Sequence, residues 1–162
     1  TTKMTQKLSQ YPRLDDFEKN PKEAIQAIIS SPTNLSNRCC EIGDHFRSLL
    51  RCLYEEDVKT ASIYLKKLDD IPDIKNLSVL ADSKFFENKS DELSFLSNVS
   101  YSLNCMSEEE REIVWECYFY PANKKKAMVL KSKSAFYRMK YSGGRKLVEM
   151  VNTCFMKLKL DL

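Results

Sequence analysis

Apolar residues recur at every third or fourth position through much of this chain. One such run consists of Cys39, Ile42, Phe46, Leu49 and Leu53, and a second of Val58, Ala61, Leu65 and Leu68. This spacing places apolar side chains on one face of a helix. The chain has only three glycines and five prolines in 162 residues, too few for a turn-dense β fold. The sequence therefore predicts an all-α protein.

Prolines and acidic residues set the predicted helix boundaries in the N-terminal half. Pro21 is expected to begin a helix, because proline is well suited to the first helical position. Residues 30–34, which include Pro32, are predicted to form a loop. Residues 37–69 form either one long helix or two helices broken near residues 55–57. The apolar stripe of residues 37–69 also makes this segment the candidate surface for a homodimer.

The chain changes character between residues 69 and 92, with Pro72, three aspartates by position 73, and the later run of Asn88, Lys89 and Ser90. This change predicts a linker that Phe85 and Phe86 anchor locally. We expect a helical N-terminal region at residues 1–88, used for dimerisation or partner contact, and a separate C-terminal module at residues 89–162. If Phe85 and Phe86 pack against both parts, a single compact domain results instead.

The positive charge of the chain is concentrated in one segment, residues 120–146, which we call the basic segment. All 23 acidic residues lie outside it, and there they outnumber the remaining basic residues. Within it the basic residues are Lys124, Lys125, Lys126, Lys131, Lys133, Arg138, Lys140, Arg145 and Lys146. A one-sided positive potential of this kind favours a polyanionic partner.

The second half of the basic segment has the periodicity of a helix with two different faces. Between residues 134 and 150, the predicted inward face consists of Phe136, Met139, Gly143, Leu147 and Met150. The predicted outward face consists of Ser134, Tyr137, Arg138, Tyr141 and Arg145. Arginine pairs bidentately with guanine in the major groove, and hydroxyl groups bond phosphates or bases. This layout is typical of a DNA recognition helix.

Two shorter helices are predicted ahead of the recognition helix. Ser107 and Glu110 fit a capping box, in which the serine oxygen accepts an amide and Glu110 reaches back to the amide of Ser107. Pro121 ends that helix, and a short helix is expected over residues 122–130. Lys131 and Ser132 then form a turn, and either Ser132 or Ser134 caps the recognition helix. Together these elements predict a helix-turn-helix.

The predicted DNA contacts come from the short helix, the turn and the outward face of the recognition helix. They are Lys124, Lys125, Lys126, Lys131, Ser132, Lys133, Ser134, Tyr137, Arg138, Lys140, Tyr141 and Arg145. We expect the lysines to neutralise phosphates, and Arg138 and Tyr137 to discriminate among bases.

The residues that carry these predictions resemble a known family. Residues 132–140, followed by Lys146, Leu147 and Val148, resemble the "S-r-s-t-y-Y-R-x-K … A … k-L-a" ending of the ArpU and RinA-like phage transcriptional regulators. Residues 106–118 are similar to the helix that precedes it in that family. The C-terminal part of these regulators is similar to region 4 of sigma factors. At the N-terminus, the similar positions are Thr5, Leu8, Tyr11 and Leu14.

The chain departs from this family at two points. It has one residue fewer between Ala127 and Ser132 than the family's turn. Gly143 and Gly144 stand where such proteins often have alanine, and each costs about 1 kcal/mol of helix propensity. A kink or a close helix contact is therefore expected near Gly143.

The resemblance implies a DNA-binding activator of late genes in a phage or mobile element, acting with host RNA polymerase. It also implies double-stranded DNA as the main partner. A homodimer is expected because one recognition helix reads only a few base pairs. Two other classes stay open: a protein-binding modulator of RNA polymerase or another phage protein, and a DNA-packaging subunit similar to a small terminase.

The remaining chemistry-bearing residues point to no enzyme, metal or cofactor. The six cysteines include no C-x-x-C pair, and the chain has one histidine, His45. We expect Cys39, Cys117 and Cys154 to be buried as small apolar residues, with redox sensing by the Cys39–Cys40 pair or by Cys52 as the alternative. The first twenty residues have no apolar core of an export signal, which predicts a cytoplasmic protein without membrane insertion.

Overall fold

The fold is known from a computed structural model, which describes residues 12–67, 70–120 and 132–160, without the side chains of residue 14 and residues 152–160. The helices in these ranges are α1 (Leu14–Lys19), α2 (Pro21–Ile29), α3 (Pro32–Glu56), α4 (Val58–Tyr64), α5 (Ser78–Ala81), α6 (Ser90–Asn104), α7 (Glu108–Val114) and α8 (Lys133–Leu160). Short 3₁₀ turns occupy Ile74–Asn76 and Lys84–Phe86. The described ranges contain no strand, so the all-α prediction is confirmed for them.

The starts of α2 and α3 follow from proline at the first helical position. Pro21 begins α2, as the sequence predicts. Pro32 begins α3, where Ser31 Oγ accepts a hydrogen bond from Asn34 N at 3.3 Å. The predicted loop over residues 30–34 is therefore wrong. A serine followed by proline is a helix start as well as a loop signal, and here the cap prevails.

The break between α3 and α4 lies at Asp57, within the predicted region. The carboxylate of Asp57 caps α4 by accepting a hydrogen bond from Thr60 N at 3.2 Å. It also accepts a hydrogen bond from Ser83 Oγ at 2.5 Å. The bonds from Ser83 and Thr60 lower the pKa of this carboxyl, because they stabilise its charged form. Asp57 thereby joins the helical hairpin to the segment before α6.

The apolar stripe of α3 is buried inside the chain. Ile42, Phe46, Leu50 and Leu53 have no exposed surface, and they pack with residues of the other long helices. The α3 part of the stripe that suggested a dimer surface therefore packs within the chain, because an amphipathic helix buries its apolar face in its own core when a core is available. The homodimer stays a prediction.

The helix α8 packs against α3, α6 and α7 as well as α1 and α2. The buried core includes Phe85 and Phe86 together with residues from both sides of position 88. These two rings meet edge to face, with centroids 4.9 Å apart. The division into residues 1–88 and 89–162 stays a prediction.

The helix α7 continues into a wider π-helical turn over Trp115–Phe119, in which Tyr120 N donates to Trp115 O at 2.9 Å. This turn presses its backbone against α3 at Gly43. A Cβ atom at Gly43 would lie 2.1 Å from the carbonyl oxygen of Tyr118, which no side chain tolerates. The glycine thus permits a close approach that fixes the end of α7 on the core.

Candidate nucleic-acid interface

The first turn of α8 is capped by Ser132. Its Oγ accepts a hydrogen bond from Ala135 N at 3.2 Å, and its carbonyl oxygen accepts one from Phe136 N at 2.9 Å. Of the two serines proposed as caps, Ser132 has this role, while Ser134 is exposed inside the helix. The first turn contains Lys133 and no acidic residue. The first turn of α8 therefore supplies no carboxylate of its own to the positive end of the helix dipole.

The buried face of α8 is rotated from the predicted one. Phe136 and Leu147 are buried as expected, but Val148 and Val151 are buried as well, and Met150 is 39% exposed. The inward position of Met150 was predicted and is wrong. Because α8 packs on several helices at once, its buried arc is centred nearer the Val148 side than the periodicity alone indicated.

Two adjacent glycines let α8 lie close to its neighbours. A Cβ atom at Gly143 would lie 2.3 Å from Val114 Cγ2 on α7. One at Gly144 would lie 3.3 Å from both Cys39 Sγ on α3 and the hydroxyl oxygen of Tyr118. The close helix contact expected near Gly143 is present. It explains why two residues of low helix propensity stand in the middle of a long helix.

The exposed surface of α8 carries much of the charge that the sequence placed on its outward face. Ser132, Lys133, Ser134, Arg138 and Arg145 are all exposed. No acidic residue occurs from Lys133 to Val148. This surface can offer two guanidinium groups and two hydroxyl groups to an anionic partner.

Two tyrosines of the predicted outward face are half-buried. Tyr137 and Tyr141 pack against the core, and their rings stack on each other with centroids 6.1 Å apart and planes 27° apart. Tyr137 also meets Phe136 edge to face at 5.4 Å. The expectation of fully outward rings is therefore wrong. A large ring at the edge of a buried arc gains free energy by covering apolar surface.

Lys140 is surrounded by aromatic rings. Its Nζ lies 5.7 Å from the ring centroid of Tyr118, 5.8 Å from that of Tyr137 and 6.0 Å from that of Tyr141. The hydroxyl of Tyr118 donates to the carbonyl oxygen of Lys140 at 3.4 Å. Burial raises the pKa of the Tyr118 hydroxyl, so it stays protonated and available as a donor. Lys140 is half-buried and less accessible to a phosphate than Lys133.

Lys146 is paired across the helix interface. Its Nζ lies 2.6 Å from Glu110 Oε1, and the Glu110 side chain is 9% exposed whereas that of Lys146 is 45% exposed. Ser107 Oγ accepts a hydrogen bond from Glu110 N at 3.2 Å, as the capping box predicts. The predicted bond between the Glu110 carboxylate and the Ser107 amide is replaced by the bond to Lys146. Local sequence patterns do not indicate this pair, because its members are 36 positions apart.

Some predicted DNA contacts lie outside the described residues. They are Lys124, Lys125, Lys126 and Lys131, together with the short helix predicted over residues 122–130. Thr5, Leu8 and Tyr11, which contribute to the N-terminal resemblance, also lie outside them.

Two of the described cysteines are buried, and the histidine packs against an aromatic ring. Cys39 and Cys117 are buried, as predicted, and burial raises the pKa of the Cys39 thiol, which donates to the carbonyl oxygen of Gly144 at 3.5 Å. Burial likewise raises the pKa of the half-buried Cys40 thiol, which makes it less reactive. His45 meets Phe95 edge to face, with centroids 4.8 Å apart.

Among the described residues, no three histidine, cysteine or acidic side chains are grouped as metal ligands would be. The helices in those ranges also lack any segment that has both the length and the hydropathy needed to cross a bilayer.

The chain was compared with protein-family models, curated proteins and solved structures, and none of them matches it. The resemblance to phage regulators therefore rests on its motif residues alone.

Proposed function

We propose that this protein is a sequence-specific DNA-binding transcriptional regulator, with α8 as the recognition helix of a helix-turn-helix similar to sigma region 4. The observation that supports this most strongly is the division of α8 into two faces. Arg138 and Arg145 are exposed on one side, and Phe136 and Leu147 are buried on the other. A helix anchored in this way can enter the major groove with its arginines directed at base edges.

The start of α8 suits a phosphate contact. Its first-turn amides and the exposed Lys133 lie at the positive end of the helix dipole. Anions bind favourably at such a position, because free amide groups and the dipole act together. A phosphate held there would fix the position of the helix in the groove, while the arginines further along it discriminate among bases.

The lysines of the basic segment are expected to differ in their contributions to DNA affinity. Lys140 is enclosed by tyrosine rings, and Lys146 is paired with Glu110. Lys133 is exposed, and within the described part of the chain it is neither enclosed by tyrosine rings nor paired with a carboxylate. We therefore assign the phosphate contacts to Lys133 together with Lys124, Lys125, Lys126 and Lys131. With about five phosphates neutralised, the logarithm of the affinity should fall with the logarithm of the salt concentration at a slope of roughly −4 to −5.

The resemblance to phage regulators extends this proposal to a biological role. It favours an activator of late genes that acts with RNA polymerase in the cytoplasm of a bacterial host. We further propose a homodimer, because two recognition helices are needed to discriminate a site within a genome. Its subunit contact lies away from the α3 stripe, which is buried within each chain.

A selection experiment tests this function. Duplexes bound by the protein are enriched from a random pool, and the selection is repeated with Arg138→Ala. Lys59→Ala is the matched control, because Lys59 is an exposed cation on α4, which packs on α3, and its loss changes the net charge equally. We expect enriched half-sites with wild type and the control, and a loss of preference at one position with Arg138→Ala. Equal enrichment by all three proteins, or none by any, contradicts the proposal.

A further inference from the structure

The exposed side of α8 has an ordered row of side chains, which we call the ridge. Ser134, Arg138, Tyr141 and Arg145 are spaced by four, three and four positions, so they follow one line along the helix. Tyr141 therefore lies between the two arginines. Both arginines are exposed, while Tyr141 is half-buried.

The ring of Tyr141 is held in place from the protein side. It packs against the core and stacks on Tyr137, and the Lys140 amino group lies 6.0 Å from its centroid. A ring fixed in this way loses little rotamer freedom when it contacts a ligand. What the ridge presents between two cations is thus a rigid aromatic surface.

The length of the ridge matches a short stretch of duplex. Arg138 and Arg145 are seven residues apart, which is a rise of about 10 Å along a helix. The rise of DNA is about 3.4 Å per base pair, so this distance corresponds to roughly three base-pair steps. Four positions after Arg145 stands Glu149, an exposed carboxylate. An anion there disfavours further contact with phosphates, and this sets the end of the contact surface.

We propose that Tyr141 contacts the 5-methyl group of a thymine that lies between base pairs whose guanines are bound by Arg138 and Arg145. In the major groove, guanine offers two acceptors to arginine, and thymine offers a methyl group to an apolar surface. The order cation, aromatic ring, cation along the ridge corresponds to the order guanine, thymine, guanine in the site. This assignment rests on the proposed function and adds the base composition of the target.

The test uses a modification of the DNA, so protein folding does not affect it. Each thymine in the selected duplex is replaced singly by deoxyuridine, which lacks only the methyl group, and affinity is measured by fluorescence anisotropy. At one thymine next to a guanine, we expect wild-type affinity to fall about fourfold, the effect of one buried methyl group. If no thymine is sensitive, or if selected sites lack thymine beside guanine, the assignment is wrong.

Variants then connect the effect with Tyr141. With Tyr141→Ala, the thymine and deoxyuridine duplexes should bind equally. With Tyr101→Ala, which removes a tyrosine that is 49% exposed on α6, the fourfold difference should persist. If Tyr141→Ala loses its helical circular dichroism, Tyr141→Gln replaces it, because its methylene groups still cover the core. A fourfold difference that survives the loss of Tyr141 assigns the methyl contact to another residue and overturns the proposal.

The two proposals fail in different ways. If no duplex shows salt-sensitive binding, the DNA-binding function itself is wrong. If duplexes are selected and Arg138→Ala alters their preference, but deoxyuridine has no effect, only the thymine contact is wrong.

Discussion

The helices α7 and α8 begin with the same cap and opposite charge. Ser107 accepts a hydrogen bond from Glu110 N at 3.2 Å, and Ser132 accepts one from Ala135 N at the same distance. The first turn of α7 contains three glutamates, whereas that of α8 contains Lys133 and no acid. The serine determines where each helix starts, and the charge determines what its first turn can bind.

The carboxylates of α7 complement the dipole of their own helix. The start of α8 lacks that compensation, which costs some helix stability and leaves the positive end open to an external anion. Under the proposed function, this first turn, with the exposed Lys133, is where a phosphate would bind. The neighbouring α7 shows that a helix of the same fold can have acidic residues in its first turn, where they stabilise it.

The largest expected effect concerns the contact that joins these two helices. Gly143→Ala should destabilise the protein by about 2 to 3 kcal/mol, because the new Cβ would lie 2.3 Å from Val114 Cγ2 and overpack the interface. Gly144→Ala is the matched control. Its Cβ would meet Cys39 Sγ at 3.3 Å, and the gain in helix propensity, about 1 kcal/mol, offsets that contact. Urea denaturation measures both, and equal stability of the two variants would contradict the packing described for α7 and α8.

The next prediction concerns a substitution that removes the difference in charge between the two helix starts. Lys133→Glu gives α8 the charge pattern of α7 and should stabilise the helix by a few tenths of a kcal/mol. It should also weaken duplex binding about tenfold, because a phosphate contact is lost and an anion is added. The two outcomes are measured by urea denaturation and fluorescence anisotropy.

The matched control for Lys133→Glu is Glu108→Lys in α7, which should slightly destabilise the protein and leave DNA affinity unchanged or higher. A Lys133→Glu variant that binds duplex as tightly as wild type would show that the start of α8 does not contact DNA.

A smaller effect concerns the feature that the two helices share. Ser107→Ala and Ser132→Ala should each cost about 1 kcal/mol of stability, because each leaves one first-turn amide without its acceptor. The free energy of unfolding from urea titrations checks this. If one variant is neutral and the other costly, the two starts are not equivalent as helix caps.

The smallest expected effect concerns the ion pair between the helices. Glu110→Gln should lower stability by at most about 1 kcal/mol, because the Lys146 side chain is 45% exposed and solvent screens the pair. It should also raise DNA affinity slightly, since it releases the Lys146 ammonium. Glu112→Gln, at an exposed position of α7, is the control and should change stability less. A larger loss from Glu112→Gln would argue against a role for the Glu110–Lys146 pair.

Local features of the fold were predictable from sequence, while contacts between distant residues were not. The helix start at Pro21 and the break at Asp57 depend on short-range backbone preferences, which the sequence displays directly. The helix start at Pro32 was missed, although Ser31 and Pro32 together carried the signal.

The candidate site shows the same limit. Periodicity located Arg138 and Arg145 on an exposed surface, where they lie. It did not predict the half-burial of Tyr141 or the pairing of Lys146 with Glu110, because both depend on where α7 and α3 pack against α8. The rotation that exposes Met150 has the same cause.

The most direct test of the account is the affinity of wild type, Arg138→Ala and Lys59→Ala for a selected duplex, measured by fluorescence anisotropy at salt concentrations from about 50 to 200 mM. The account predicts a steep salt dependence for wild type and the Lys59 variant, and a loss of about tenfold or more for Arg138→Ala on the selected sequence. It also predicts a much smaller loss for Arg138→Ala on unrelated duplexes. Salt-independent binding, or equal losses from the two variants, would contradict a DNA-reading role for the exposed face of α8.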